Sequence, residues 1–160
     1  MKKNSLSPPP RRPRPGFTLV EIMVVVVIIG LLAAMAIPAL QRVQRRSQNS
    51  RFVSDLRVFT QAFETYALEN GNWPPNVGPG LVPAGLSGAI QVGVWTAPTV
   101  LKGSWNYDRN INGVAVAVSL SGSTVTDAQM LEIDAMIDDG DLATGHFRKI
   151  SGRFMYVLQE

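Results

Sequence analysis

The apolar positions of the sequence begin with one long run that lies ahead of an amphipathic pattern. From Phe17 to Leu40 nearly every side chain is apolar, and the only charged one is Glu21. As a helix with a rise of 1.5 Å per residue, this run would be about 36 Å long, which exceeds the roughly 30 Å hydrocarbon thickness of a bilayer. The run therefore predicts a transmembrane helix with some tilt.

A second helical pattern follows Pro38. Apolar residues recur there at spacings of 4, 3, 4 and 3, which places them on one face of a helix. They are Phe52, Leu56, Phe59, Phe63 and Tyr66. We predict one long helix that is kinked near Pro38, is amphipathic in its second half, and ends at Asn70-Gly71, where a left-handed cap is easy to form.

The remaining sequence changes from loop signals to strand signals. Glycine and proline are dense between Gly71 and Gly103, which predicts a loop-rich connection with at most short strands such as Gln91 to Trp95. Alternating or β-branched runs then predict four strands. These are Ser104 to Tyr107, Val114 to Leu120, His146 to Ile150 and Phe154 to Leu158, the last two joined as a hairpin by a two-residue turn.

A short helix is predicted between the second and third strands. Thr126 to Gln129 has the pattern of a capping box, and Met130, Ile133 and Ile137 follow on one side of the predicted helix. A long helix followed by an antiparallel sheet gives an α+β fold, in which the amphipathic half of the helix packs on a small C-terminal sheet.

The positive charge of the chain is concentrated at its N-terminus. Five of the fifteen Lys and Arg residues precede Phe17, while the rest of the chain carries ten against twelve Asp and Glu. They are Lys2, Lys3, Arg11, Arg12 and Arg14. Residues 1–16 are therefore predicted to be a basic leader peptide, and no nucleic-acid partner is expected. This leader also predicts a cytoplasmic N-terminus and an exported C-terminal domain.

Several chemistries are excluded by composition. The chain has no cysteine and a single histidine, His146, so that disulfides, thiolate zinc sites and histidine triads are not expected. It also lacks a nucleophile elbow, a phosphate loop and a metalloprotease helix, and we do not expect an enzyme.

A conventional signal peptide is an alternative interpretation of the first forty residues. It would place cleavage after Ala36, within Ala34-Met35-Ala36, and would leave a soluble exported enzyme or binding protein. A plain single-pass membrane anchor is a third interpretation. Neither of them requires a carboxylate at the head of the apolar run, where Glu21 carries an insertion cost.

The segment from Gly16 to Glu21, with sequence GFTLVE, resembles the type IV pilin-like proteins, which comprise type IV pilins and the pseudopilins of type II secretion. Gly30 and Pro38 within the apolar run add to the resemblance. It implies that a prepilin peptidase cuts between Gly16 and Phe17 on the cytoplasmic side and methylates the new amine of Phe17. The segment ALENGNWPP resembles the corresponding segment of pseudopilins. The absence of a cysteine pair also favours a pseudopilin, because many adhesive pilins close a C-terminal loop with a disulfide.

The resemblance gives Glu21 a physical purpose. Cleavage would leave an α-amine on Phe17, and a free helix N-terminus adds partial positive charge. Glu21, one turn along, can neutralise its own helix end or pair with the amine of a neighbouring subunit. In apolar surroundings such a pair is stronger than at a wet surface, although desolvation offsets part of the gain.

Two charged clusters remain with alternative interpretations. Acids are concentrated at Asp134, Asp138, Asp139 and Asp141. The last three are the predicted metal ligands, because carboxylates offer hard oxygen atoms and the resemblance to major pseudopilins, which carry a calcium site in a C-terminal loop, implies a calcium ion here, although a solvated turn has the same composition. A basic cluster follows the apolar run and either forms a solvated helix face or meets lipid phosphates or the acids of neighbouring subunits. It consists of Arg42, Arg45, Arg46 and Arg51.

The resemblance, together with these observations, predicts the precursor of a type IV pilin-like subunit, and it favours a type II secretion pseudopilin over an adhesive pilin. Its domains are the leader 1–16, a transmembrane and filament-core helix 17–40, and a periplasmic unit 41–160 that starts with the amphipathic helix. The expected partners are the prepilin peptidase, other pilin-like subunits, the inner-membrane assembly platform and the bilayer. We expect the chain first in the bacterial inner membrane and then in a periplasmic or surface filament.

Overall fold

The computed structural model describes residues 16–160, so the prediction of a basic leader lies, apart from Gly16, outside the described residues. The described residues divide into two compact units, one that ends at Gln41 and one from Arg42 to Glu160, and each is considered separately below.

Helix α1 runs from Leu19 to Asn70 and continues through Pro38. The helix ends as predicted, because Gly71 adopts a φ of 68° in the left-handed region that favours glycine. The predicted kink at Pro38 stays a prediction. Among residues 16–160, α1 is the one helix long and apolar enough to cross a membrane, a property that a signal sequence would share.

The side chains of the apolar run are exposed within the chain. Leu19, Val27 and Leu40 are each more than half exposed, as are most of the large apolar residues between them. Such a continuous apolar surface needs a bilayer or another subunit to cover it.

The second half of α1 buries the predicted apolar face. Phe52, Leu56, Phe59 and Phe63 are at most 2% exposed, and Tyr66 packs against the same cluster. The spacing prediction for this face is therefore confirmed.

The unit of residues 42–160 contains a four-stranded antiparallel sheet with the order β1-β2-β4-β3. The strands are β1 Ser104–Ile111, β2 Val114–Ser121, β3 Phe147–Ile150 and β4 Arg153–Gln159, and the short helices are α2 Val92–Thr96 and α3 Asp127–Ile137. The predicted α+β architecture is confirmed, and β4 lies between β2 and β3 because α3 carries the chain across.

Aromatic side chains fasten α1 to the sheet. Trp105 of β1 stacks on Phe52, with ring centroids 4.8 Å apart, and meets the ring of Phe59 edge-on at 5.1 Å. Phe63 stacks on Tyr107 at 4.5 Å. Each such pair contributes about 0.5–1.5 kcal/mol beyond the burial of its area.

The prediction of a short strand from Gln91 to Trp95 is wrong, because Val92–Thr96 forms helix α2. The backbone N–H of Trp95 bonds the carbonyl of Gln91 at 3.0 Å, and its indole N–H donates to the carbonyl of Leu81 at 2.8 Å. The buried indole fixes this turn, so tertiary contacts override the β propensity of the two valines.

Strand β1 is longer than predicted, since it extends to Ile111 and forms a tight hairpin with β2. Asn112 and Gly113 form the turn, with φ values of 55° and 84°. The predicted turn between β3 and β4 has the same character, with φ values of 50° at Ser151 and 79° at Gly152. Positive φ at both central residues suits the twist of a hairpin.

Helix α3 begins at the predicted cap but does not complete the capping box. The Thr126 hydroxyl accepts a hydrogen bond from the backbone N–H of Gln129 at 3.4 Å. The Gln129 side chain instead donates to the Asn49 side chain at 2.8 Å. Met130 and Ile133 are fully buried as predicted, so α3 packs on the core through that side.

Candidate processing, assembly and metal sites

The predicted cleavage point lies in exposed, irregular chain just ahead of α1. Gly16 and Phe17 belong to no helix or strand, and Phe17 is 82% exposed. A peptidase must bind its substrate in extended form, and a helical segment would hide the peptide bond in its own hydrogen-bond ladder. The geometry therefore leaves the Gly16-Phe17 bond accessible.

Thr18 and Glu21 form a complete capping box at the start of α1. The Glu21 carboxylate accepts hydrogen bonds from the backbone N–H and from the hydroxyl of Thr18, each at 2.8 Å. In return, the Thr18 hydroxyl accepts a hydrogen bond from the backbone N–H of Glu21 at 3.2 Å. Two of the N–H groups that a helix start leaves unpaired are thereby satisfied.

This geometry fixes where the charge of Glu21 lies. The carboxylate is drawn back over the first turn, at the positive pole of the helix, next to the residue that follows the predicted cleavage point. An amine created on Phe17 would be one residue away from the carboxylate's present donor. Thr18-x-x-Glu21 is itself a sequence signal for a capping box, and it was not used in the sequence analysis.

The C-terminal half of the chain brings three aspartates together where α3 ends. One oxygen atom from each of Asp134, Asp138 and Asp139 lies within 4.8 Å of the others. Asp141, which the sequence analysis included, is not in this group; its carboxylate accepts a hydrogen bond from the backbone N–H of Ala143 at 3.0 Å.

Asp134 is the unusual member of the group. It is fully buried, and neither of its carboxylate oxygens has a hydrogen-bond partner among the described residues. Burial, with further contributions from the carboxylates of Asp139 and Asp138, raises the pKa of Asp134 to about 6, and the nearby backbone N–H of Gly140 opposes this rise only in part. A buried acid of this kind costs free energy unless a proton or a cation neutralises it.

The other two acids already have hydrogen-bond donors. Asp138 accepts from the backbone N–H groups of His146 and Phe147, the second at 2.9 Å. Asp139 accepts from the hydroxyl of Thr144 at 2.7 Å and from the backbone N–H of Asp141 at 2.9 Å, and these hydrogen bonds lower its pKa. Each carboxylate can use its other lone pairs for a cation.

The sequence analysis named Asp134 among these acids but did not assign it to the metal site. Its spacing of four residues from Asp138 places both side chains on one side of a helix, and this signal was available. Its burial could not be read from the sequence, because it depends on the way in which α3 packs.

Comparisons with known proteins agree with the N-terminal geometry. The family model described as "Prokaryotic N-terminal methylation motif" matches residues 11–37. The chain is 35% identical over 107 residues to the type IV major pilin protein PilE1 of Neisseria gonorrhoeae, covering 66% of this chain and 58% of the relative. No solved structure matches the chain.

Relatives also occur among secretion proteins. The type II secretion system core protein G of Escherichia coli is 42% identical over 94 residues, covering 59% of this chain and 57% of the relative. The type IV major fimbrial protein FimA of Dichelobacter nodosus is 34% identical over 110 residues, covering 69% of this chain and 60% of the relative. The chain thus spans little more than half the length of these curated relatives.

The matched residues include the exposed Gly16-Phe17 bond and the Thr18–Glu21 capping box, and the relatives are type IV pilins and type II secretion proteins. The chain therefore carries the prokaryotic N-terminal methylation motif, and it is similar to type IV pilins and to the type II secretion system core protein G.

Proposed function

We propose that the chain is the precursor of a type II secretion pseudopilin that is cleaved after Gly16, N-methylated on Phe17 and assembled into a helical filament. The observation that carries the proposal is the order of features at the N-terminus. An exposed Gly16-Phe17 bond is followed at once by a capped helix start, whose acid Glu21 heads an apolar surface.

Hydrolysis of the Gly16-Phe17 bond would leave a carboxylate on Gly16 and an amine on Phe17. Cleavage also separates the five basic leader residues from the rest of the chain. The mature chain would then begin with one amine, a helix dipole and the Glu21 carboxylate close together in apolar surroundings.

Glu21 sets the register of subunits in the filament by pairing with this amine. Its carboxylate already accepts two hydrogen bonds from Thr18, and an acceptor of this kind has lone pairs left for a further donor. A misplaced neighbour would leave the amine or the acid unpaired in an apolar layer, which is strongly unfavourable. The apolar side chains that are exposed along Leu19 to Leu40 supply the cohesion of the bundle.

A pseudopilin is favoured over an adhesive pilin by the absence of cysteine, because many adhesive pilins close a C-terminal loop with a disulfide. A type IV pilus subunit is the second candidate, and the length of the match supports it. The Neisseria pilin and the Dichelobacter fimbrial protein align with 66% and 69% of this chain, against 59% for the Escherichia secretion protein.

The site of action follows from the charge distribution. The basic leader holds the N-terminus in the cytoplasm, residues 17–40 cross the inner membrane, and residues 41–160 lie in the periplasm. A cytoplasmic prepilin peptidase site and an inner-membrane assembly platform are the required partners. Nothing in this scheme asks the chain to catalyse a reaction of its own.

We also propose that Asp134, Asp138 and Asp139 hold a calcium ion. The fit rests on the two unpartnered oxygens of the buried Asp134, which lie beside two further carboxylates. Calcium accepts six to eight oxygen ligands, so that backbone carbonyls of the adjoining loop or water would complete the shell. The ion would neutralise acids that otherwise face the negative end of α3.

The first experiment is intact-mass analysis of the mature protein from cells that contain a prepilin peptidase. We expect a chain that starts at Phe17 and carries one extra methyl group. A start at Ile37 would indicate a conventional signal peptide, and an uncut chain that starts at Met1 would indicate a plain anchor.

Matched glycine variants sharpen this test. Gly16→Leu should block cleavage, whereas Gly30→Ala should be processed normally, because a Cβ at Gly30 meets nothing within 4 Å. Normal processing of Gly16→Leu would contradict the proposed cleavage point. Deletion of the gene then separates the two filament systems, since loss of protein secretion supports the pseudopilin and loss of surface pili supports the pilus subunit.

A further inference from the structure

A basic pocket lies between α1 and α3 in the unit of residues 42–160. Arg42, Arg45 and Arg46 occupy positions i, i+3 and i+4 of α1, so that they share one face of the helix. The pocket has a volume of about 770 Å³. Its other lining residues are Asn49, Ser50, Glu132, Ala135 and Met136.

The one acid in the pocket is already neutralised. Glu132 accepts hydrogen bonds from the Arg45 guanidinium and from the Asn49 side-chain amide, each at 3.0 Å. Asn49 is only 2% exposed and is held on its other side by the amide of Gln129. These contacts build a fixed wall between α1 and α3.

Arg42 and Arg46 remain as unpaired positive charges. Neither has a carboxylate oxygen within 4.0 Å in the part of the chain that the structure describes. With Arg45 set against Glu132, the pocket carries a net charge of about +2 and has room for an anionic group.

The position of the two arginines along α1 indicates which anion they meet. Arg42 and Arg46 follow Leu40, the last residue of the apolar run, by two and six residues. At 1.5 Å per residue they lie about 3 and 9 Å beyond the end of that run. The polar layer of one leaflet is about 5–8 Å thick, so Arg42 lies within it, and Arg46 lies at its outer edge, from where its long side chain can still reach lipid phosphates.

The chemistry of the pocket suits a phosphate diester with an acyl chain. Guanidinium groups bind phosphate oxygens through paired N–H donors. Ala135 and the 44% exposed Met136 provide an apolar side for the glycerol and the start of the chains. Basic residues at a membrane surface also gain from the negative potential of anionic lipids.

We propose that this pocket binds the phosphate of an anionic phospholipid in the leaflet that meets the C-terminal end of the apolar run. The proposal rests on the insertion of the first half of α1 in a membrane and is independent of cleavage or filament assembly. The bound lipid would hold the start of the globular unit at the membrane surface.

The test is native mass spectrometry of the full chain in a neutral detergent with added phosphatidylglycerol or phosphatidylcholine. The double variant R42Q/R46Q removes the two free charges, and R51Q/K102Q removes the same charge outside the pocket. The basic leader contributes equally to every variant. We expect R42Q/R46Q to lower phosphatidylglycerol retention about 10- to 30-fold, and R51Q/K102Q to lower it less than about threefold.

Three outcomes would overturn the proposal. Equal retention by R42Q/R46Q and R51Q/K102Q would show that only general charge matters. Competition by inorganic phosphate at the same concentration as the lipid would make the pocket a site for free anions. Unchanged lipid retention together with lost assembly of R42Q/R46Q would assign the arginines to a carboxylate of a neighbouring subunit. Normal cleavage of every variant would keep each result separate from the proposed processing.

Discussion

The carboxylate of Glu21 lies 2.8 Å from both the backbone nitrogen and the hydroxyl oxygen of Thr18, so that the acid caps its own helix. The acid therefore has a structural task within one subunit before any neighbour is present. The capping of the helix by Glu21 and the negative charge of Glu21 are separate properties. A substitution at Thr18 weakens the capping, and a substitution at Glu21 removes the charge.

Replacement of Thr18 by valine removes the hydroxyl that completes the capping box. We expect the first turn of α1 to lose about 1 kcal/mol of stability, because the Glu21 N–H loses its acceptor. Amide exchange of Glu21, measured by NMR on the full chain in detergent, should become about fivefold faster. Thr65→Val is the control, since its hydroxyl bonds Gln61 far along the helix. An unchanged Glu21 exchange rate would contradict the capping assignment.

Replacement of Trp105 by alanine should strongly destabilise the unit of residues 42–160. The side chain is 1% exposed and contacts the rings of Phe52 and Phe59, so its loss opens a large cavity. We expect a loss of about 3–5 kcal/mol in the free energy of unfolding, measured by denaturant titration in detergent. Leu68 is 85% exposed and lies on helix α1, which also carries Phe52 and Phe59. Leu68→Ala should change the free energy of unfolding by less than about 0.5 kcal/mol. Similar losses for both variants would count against this core.

The backbone conformation of the residue that precedes β1 requires glycine at position 103. The φ of Gly103 is 85°, and a Cβ there would lie 2.6 Å from the Ser121 carbonyl oxygen and 2.8 Å from the Ser123 nitrogen, both backbone atoms. Gly103→Ala should therefore cost more than about 2 kcal/mol of unfolding free energy. Gly88→Ala meets nothing within 4 Å and should be close to neutral in the same titration. A neutral Gly103→Ala would show that this loop is placed differently.

Replacement of Asp134 by asparagine tests the proposed calcium site, because calcium should reverse which of the two chains, variant or native, is the more stable. Without calcium the variant should unfold at a higher temperature than the native chain, because an unpaired buried carboxylate is removed, a gain of about 1–3 kcal/mol. With calcium the native chain should be the more stable one, because the ion then has its buried ligand. Asp141→Asn, outside the group of three acids, should show no reversal. If the order of the two unfolding temperatures, variant against native chain, were the same with calcium and with a chelator, the site would be excluded.

The features that sequence patterns predict well are those set by local chemistry. The face from Phe52 to Tyr66 needs only helical periodicity, and the helix cap at Gly71 and the hairpin turn at Gly152 need only the tolerance of glycine for positive φ. The hairpin turn Asn112-Gly113 carries an equally clear signal, and the predicted first strand was too short because this signal was not applied.

The features that patterns miss depend on contacts between distant segments. Helix α2 is set by the burial of Trp95, and the backbone N–H of Gly80 reaches the carbonyl of Trp105 at 2.8 Å across the loop-rich connection. Asn49 lies buried between α1 and α3 because Glu132 and Gln129 satisfy its amide. No short window of sequence contains both partners of such contacts.

The most direct measurement of the central claim is the assembly of Glu21→Gln. Glutamine keeps the pattern of a capping box but removes the charge that would pair with the amine of Phe17. We predict that the variant is cleaved after Gly16 and methylated, yet forms at least tenfold fewer filaments than the native chain. Filament yield equal to that of the native chain, with the amino end of Glu21→Gln at Phe17, would contradict the account.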